Sequence, residues 1–328
     1  MTVAQPGSGW VASMWVAPLP SPPALDGRRY SGPVPMVRNV CAIQRQYGSA
    51  TLESQDRPQL AILLTSFNRR QTTLSSLAAI EAATAGRCRY QIVLVDDGST
   101  DGTGDAVKER FPKASVIRSG GDLYWNGGMR LAWKCALPLQ PDFFLWLNDD
   151  TILRPGAIAA LLSAYCRASE PRTLIVGRTI DPVSGEVTYG GYKRIPGLSR
   201  LRFRHLTESE TDCDTMNGNC VLIPFVAVRE IGINAEAYRH AFGDIDYGLR
   251  ARLRGYDIIE LKDPVGVQEQ NLAYKKATGS LTRRNWRHLM FHPKGIPLNE
   301  HYYFCRQFGG RLWALNFALR YIKILKFG

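Results

Sequence analysis

The sequence predicts an α/β fold: a mainly parallel sheet flanked by helices, with a helical C-terminal extension. Three observations carry this. Short apolar runs alternate with helical patterns from Leu60 to Tyr165. Polar clusters follow at least three of those runs, at Thr65–Arg70, Asp96–Gly102 and Asn148–Thr151. The run Phe143–Leu147 is apolar, aromatic-rich and too short for a lone helix, so it reads as a buried strand. Strand–helix alternation of this kind favours a parallel sheet with helices on both faces.

In chain order, Leu60–Leu64 is the first strand, and Leu74, Leu77 and Ala78 follow at helical spacing. Gln91–Val95 is the second strand, and Ala106, Val107 and Arg110 suggest a short helix before Pro112. Ser115–Ile117 is a third strand, Gly120–Gly128 a loop, and Met129–Leu137 a helix. After the Phe143 strand, Pro155 fits the first position of a helix running through Leu161–Tyr165. Thr173–Val176 and Val187–Tyr189 are short strands, and Asn217–Pro224 is a turn and a strand. Ile245, Leu249 and Leu253 recur every four residues on one helical face, with Gly255 as its stop. Leu312, Leu315, Leu319 and Ile322 stripe a basic helix over 311–326, which either lies on an anionic membrane or packs on its own domain.

Three segments result. Residues 1–57 form a proline-rich tail, in which Pro18, Pro20, Pro22 and Pro23 forbid helices and central strands. Residues 58–270 carry the periodic α/β pattern, and 271–328 form the basic extension. The net charge of +12 suggests an anionic partner: nucleic acid, a membrane surface or a phosphate-rich substrate. Seven cysteines include no C-x-x-C pair, which argues against zinc or a disulfide framework and for a reducing, cytoplasmic setting. No apolar run reaches transmembrane length, and no basic n-region precedes the first apolar residues, so no signal peptide is expected.

The three polar clusters end parallel strands, so they converge on one sheet edge, where such folds bind ligands. Asp149 and Asp150 alone fit a helix-capping turn as well as a metal site. Two acid pairs at one edge favour a nucleotide site, with a divalent cation relieving the repulsion between adjacent carboxylates. No G-x-G-x-x-G and no P-loop follow the first strand, against a dinucleotide-binding dehydrogenase or a P-loop NTPase. Asp244 and Asp246 fall in the first turn of their helix, where each can cap it or one can act as a general base. A sugar-nucleotide pyrophosphorylase would want a glycine-rich loop after the first strand, and Thr65–Arg70 contains none. A nucleic-acid-binding protein is permitted by charge, but the basic residues are mixed with acids and no binding motif appears.

Taken together, these motifs resemble inverting glycosyltransferase family 2, which has the Rossmann-like GT-A fold. The resemblance runs from about Leu60 to Gln270 and weakens towards Gly310. Thr65-Ser66-Phe67-Asn68-Arg69 is similar to the first nucleotide-binding loop, and Val95–Asp101 to the base- and ribose-binding loop that contains Asp97. Asn148-Asp149-Asp150 stands at the D-x-D metal motif, and His240–Arg250 at the acidic helix-start motif, which makes Asp244 the implied base. The segments Gly121–Arg130, Phe144–Thr151 and Lys294–Pro297 resemble bacterial rhamnosyltransferases of O-antigen or exopolysaccharide synthesis.

Asn148 replaces the first acid of D-x-D, which shifts the metal to Asp150 with Asp149 beside it, and Gly243 stands where the acidic motif often has Glu. The processive Q-x-x-R-W motif is absent, since Arg283–Trp286 does not fit it, which implies addition of one sugar. The resemblance thus implies a dTDP- or UDP-linked sugar donor, a glycan or polyprenyl-linked acceptor, and Mn²⁺ or Mg²⁺. It implies no nucleic acid. Thr65, Asn68, Asp97, Asp122, Trp125, Asn148 and Asp149 would line the donor side. His240, His292 and His301 are further candidates as metal ligands, against the commoner structural role of a lone histidine. The expected location is the cytoplasm, with peripheral contact at the inner membrane through 311–326.

Overall fold

The computed structural model describes residues 57–168, 170–270 and 286–327. The proline-rich tail up to residue 56, and Arg283 and Arg284 of the Q-x-x-R-W comparison, lie outside them.

The N-terminal half alternates as the sequence predicts. Its elements are β1 (Gln59–Ser66), α1 (Arg70–Thr84), β2 (Arg89–Asp96), α2 (Thr103–Arg110), β3 (Ser115–Arg118), α3 (Tyr124–Ala136) and β4 (Phe143–Leu147). Then follow β5 (Ile152–Leu153), α4 (Ala157–Arg167), β6 (Thr173–Val176), β7 (Thr179–Ile180), β8 (Val187–Tyr189), β9 (Gly191–Arg194), β10 (Phe203–His205) and β11 (Thr215–Met216). The remainder comprises β12 (Cys220–Pro224), α5 (Phe225–Ile231), α6 (Gly243–Leu253), β13 (Asp257–Glu260), β14 (Gly266–Val267), α7 (Trp286–Phe291), α8 (Leu298–Phe308) and α9 (Trp313–Phe327).

The main sheet has seven strands in the order β13-β6-β12-β4-β1-β2-β3. Alternation along β1 sorts its side chains. Leu60, Ile62 and Leu64 pack under α1 with Leu77 and Ile80, while Ala61 and Leu63 face α3 and α6 with Trp133 and Tyr247. Strand β4 is sealed on both faces, with every residue from Phe143 to Leu147 at most 1% exposed. At roughly 1.5–3 kcal/mol per buried large side chain, this strand is a principal source of core stability.

Strand β12 runs antiparallel to both neighbours, pairing Cys220 with Leu147 and Val221 with Val176. All other pairings in this sheet are parallel. An antiparallel strand delivers its start, not its end, to the ligand edge. Asn217–Asn219 therefore join the loops that follow β1, β2 and β4, and Asn148 N donates to Asn219 O at 3.1 Å.

Three local expectations change. Gly120–Gly128 is not all loop, because α3 begins at Tyr124; a Cβ on Gly128 would meet Thr65 Oγ1 at 2.2 Å, so glycine lets the helix pack directly on β1. Helix α4 begins at Ala157, after a left-handed Gly156, which leaves Pro155 ahead of the helix. Strand β5 separates the Asp149–Asp150 pair from that helix, so the pair does not cap it.

At the C-terminus, Phe304 and Phe308 of α8 pack with Tyr238 and Leu249, and Tyr321 of α9 packs with Leu289 and Ile296. The stripe Leu312, Leu315, Leu319 and Ile322 stays 38–51% exposed. Helix α9 thus docks through Phe317 and Tyr321 rather than through the stripe. No helix among the described residues is long and apolar enough to cross a membrane.

Candidate active site

One cavity of about 950 Å³ opens at the ligand edge of the sheet. Its wall includes Thr65, Asp97, Trp125, the run Asn148–Asp150 and, from the start of α6, Asp244. The basic residues of its wall include Arg69, Arg202, Lys294 and Arg320.

The acid pair after β4 is held by other elements. Arg69 Nη1 lies 3.0 Å from Asp149 Oδ1 and 2.7 Å from Asp150 Oδ2. Gln268 Nε2 donates to Asp150 Oδ1 at 2.5 Å, and Thr73 Oγ1 lies 3.5 Å from Asp149 Oδ2. Burial pushes the Asp149 carboxyl up to about 6, opposed chiefly by Arg69. Burial raises Asp150 as well, again with Arg69 opposing. Arg69 is held above its usual range: burial works against its charge, and the two carboxylates outweigh it.

Among the described residues no group of three or more His, Cys, Asp or Glu side chains is placed to enclose a metal. The donor chemistry nonetheless suits a hard cation. Mg²⁺ and its like take one or two carboxylates and complete their shell with substrate phosphates and water. Asp149 and Asp150 offer that pair of oxygen donors on a cavity wall.

Asp97 accepts from Ser119 Oγ (2.8 Å), Gly121 N (3.0 Å), Leu123 N (3.3 Å) and Tyr124 N (2.8 Å). Its carboxylate therefore fixes the loop between β3 and α3. Asn68 stitches two loops together, its backbone N donating to Ser99 Oγ and its Oδ1 accepting from Thr100 N. Trp125 Nε1 donates to Asn148 Oδ1 at 2.8 Å, so the Asn148 side chain positions the indole. Asp122 is exposed.

The two acids of α6 part company. Asp244 Oδ2 accepts from Gly218 N at 3.0 Å and Oδ1 from Ile245 N at 2.8 Å. Burial raises its carboxyl, and these backbone N–H groups limit the rise. Asp246 is fully buried, bonded to Arg250 Nε at 2.6 Å and Tyr238 Oη at 3.2 Å. The residue that opens α6, Phe242, takes a left-handed φ of 67°. Such a conformation in a bulky residue persists only when its surroundings impose it. Here Phe242 stacks on Phe304, with ring centroids 4.9 Å apart, which ties the start of α6 to the C-terminal helices.

Among the histidines, His301 binds Tyr321 Oη and Cys305 Sγ. Burial lowers both His240 and His301 to about 4. All cysteines among the described residues are free.

Sequence reasoning left Arg69, Gln268 and Asn219 without a role. Arg69 was visible as a cation inside the first polar cluster. Gln268 and Asn219 carried no signal, because their approach depends on the direction of β12 and on β14.

An acid pair closing a central parallel strand, the loops after β1 and β2 at the same edge, and Asp244 on the wall of the same cavity fit a GT-A architecture. The chain belongs to glycosyl transferase family 2, whose sequence profile matches residues 61–232. It is 27% identical over 192 residues to the N-acetylglucosaminyl-diphospho-decaprenol L-rhamnosyltransferase of two Mycobacterium tuberculosis strains, covering 50% of this chain and 62% of each relative. The chain thus matches less than two thirds of those relatives' length.

Among solved structures it resembles the mannosyltransferase PcManGT of Pyrobaculum calidifontis with GDP-Man and Mn²⁺. The TM-score is 0.50 at 13% identity, over 82% of this chain and 74% of that one. It also resembles GalNAc-T7 with UDP, GalNAc and Mn²⁺, with a TM-score of 0.51 at 13% identity, over 66% of this chain and 43% of the other. At these identities the two structures speak for the fold alone.

Proposed function

We propose that the chain is an inverting, non-processive glycosyltransferase. It moves one sugar from a dTDP- or UDP-linked donor to a glycan or polyprenyl-linked acceptor in cell-surface polysaccharide synthesis. The observation that carries this reading is that Asp244 lines the same cavity as the Asp149–Asp150 pair. Asp246, two residues on, is consumed by Arg250.

The reaction balances as a single displacement. The acceptor oxygen bonds to the anomeric carbon as the bond from that carbon to the diphosphate oxygen breaks. The nucleoside diphosphate leaves with the electron pair, and the acceptor proton passes to the Asp244 carboxylate. Attack opposite the leaving group inverts the anomeric centre. A carboxyl raised by burial is a better proton acceptor than an exposed one. Asp150, with Asp149 beside it, would hold a divalent cation, Mn²⁺ or Mg²⁺, whose charge offsets that on the departing diphosphate. Asp97, Thr65 and Asn68 organise the donor-nucleotide side, and Trp125 with Asn148 the sugar side.

The mycobacterial relatives are named for L-rhamnosyl transfer to a diphospho-decaprenol acceptor, so an L-rhamnosyl donor heads the panel to test. The exposed apolar stripe of α9 beside Arg311 and Arg320 supports peripheral contact with the cytoplasmic face of a membrane.

The test is nucleoside diphosphate release from UDP-, dTDP- and GDP-sugars, with Mn²⁺ or Mg²⁺ and with EDTA. Wild type is compared with Asp150→Ala and Asp244→Asn. Metal-dependent release from one donor, lost in both variants, is the expected result. No release from any donor, together with no thermal shift by any nucleotide, overturns the assignment.

A further inference from the structure

The carboxylates suited to a metal are already partnered by the chain itself. Arg69 Nη1 reaches one oxygen of Asp149 and one of Asp150, and Gln268 Nε2 occupies the other oxygen of Asp150. Of the four carboxylate oxygens only Asp149 Oδ2 carries no bond from Arg69 or Gln268, so a divalent cation that binds both acids at its usual bond length of about 2.0–2.3 Å competes with one of these two side chains on Asp150. It also repels the guanidinium strongly at that separation. The metal and Arg69 are therefore alternatives at this pair.

Arg69 has somewhere to go. It lines the cavity and its side chain is 42% exposed, so open space adjoins it. It immediately precedes α1, whose N-terminus favours anions. A guanidinium matches a phosphate with two parallel hydrogen bonds, which an ammonium cannot do.

We propose that Arg69 is a resident counter-cation that holds Asp149 and Asp150 together in the metal-free protein, yields them to a divalent metal, and then binds the donor diphosphate. This rests on the reading that the cavity takes a nucleoside diphosphate. The exchange couples the two ligands. Metal binding frees the residue that the nucleotide uses, and the nucleotide helps draw Arg69 off the carboxylates. Such coupling is equal measured from either side.

The experiment measures Mn²⁺ binding by electron paramagnetic resonance at pH 8, without nucleotide, for wild type, Arg69→Gln and Arg69→Lys. Titrations of dTDP and UDP with and without Mn²⁺ follow on the same samples, with circular dichroism confirming each fold. Arg69→Gln binds Mn²⁺ more tightly than wild type, by about fivefold or more, a coupling of the usual size. With Mn²⁺ present it binds the nucleotide more weakly, and the Mn²⁺–nucleotide coupling shrinks. Arg69→Lys falls between the two, since its ammonium keeps a positive charge beside both acids but lacks the paired donors with which a guanidinium matches a phosphate.

A merely structural role for Arg69 would weaken both ligands together. Unchanged or weaker Mn²⁺ binding in both variants overturns the proposal. If no protein binds dTDP or UDP, the nucleotide reading and the diphosphate half of the exchange fall. The nucleotide-free Mn²⁺ titration still decides whether Arg69 competes with a metal.

Discussion

Arg250 Nε donates to Asp246 Oδ2 at 2.6 Å, one turn along the helix whose second residue is Asp244. Two acids that look interchangeable in sequence thus have separate duties, and substitutions should separate them. Removing one partner of a buried ion pair costs roughly 3–5 kcal/mol. Asp246→Ala is expected to lower the melting temperature sharply and to leave kcat largely unchanged in the folded fraction. Asp244→Asn should lower kcat about 10²–10⁴-fold with little loss of stability. Active-site titration beside thermal melting reads both, and equal effects on both quantities in both variants would refute the division.

Gly218 holds the loop that aims Asp244. A Cβ there would meet the Trp125 ring at 2.4 Å and Asp244 Cβ at 3.3 Å. Gly218→Ala must therefore push the indole or the loop aside and disturb the backbone N–H bonded to Asp244 Oδ2. Misplacement of about 1 Å at a reacting group costs on the order of 100-fold in rate. The expected outcome is a fall in kcat of that order with nucleotide affinity nearly intact. An alanine variant with wild-type kcat would show that the contact is not needed.

Much of this fold was legible because its signals are local. The run Phe143–Leu147 declares a strand by composition, and Ile245, Leu249 and Leu253 declare a helix by spacing. The left-handed Gly255 lies just past that helix, as expected of a stop. What the sequence hid is what depends on direction or distance. Nothing in Cys220–Pro224 says that this strand runs against its neighbours, yet that reversal brings Asn219 to Asn148. Gln268 reaches Asp150 from 118 residues away, so no window of sequence joins them. Arg69 was in plain view, but its pairing with Asp149 and Asp150 required the loop after β1 and the end of β4 to be set side by side.

Asp97 gives a prediction about order rather than chemistry. Its Oδ1 accepts from three donors on the loop before α3. In Asp97→Asn one of the side-chain oxygens becomes an N–H₂ group facing N–H groups, which leaves buried donors unmatched at roughly 1–3 kcal/mol. Loosening of the stretch Ser119–Tyr124 is expected, seen as faster amide exchange there and as dTDP or UDP affinity about tenfold weaker. Ser119→Ala, which removes one donor, should have a smaller effect in the same direction. Unaltered exchange in the Asparagine variant would show that the loop is held by other contacts.

His301 predicts a pH dependence at the junction of α8 and α9. Its Nδ1 lies 3.1 Å from Tyr321 Oη, and Tyr321 Oη donates to Ile296 O at 3.2 Å. Cys305 Sγ and Arg320 are its other polar and charged neighbours. Burial lowers the imidazole to about 4, against about 6.5 in an unfolded chain. The unfolded chain therefore takes up a proton first as pH falls. The stability from a neutral His301 is complete above about pH 6.5, declines towards pH 4 and levels off below it, by roughly 3 kcal/mol at most. His301→Gln removes the titrating group, so the stability gap between wild type and variant should change steadily over that window, to the disadvantage of wild type in acid. Denaturant unfolding at pH 7, 6, 5 and 4 checks it; a gap that stays constant from pH 7 to 4 would show that protonation of His301 is not what loosens the C-terminal helices in acid.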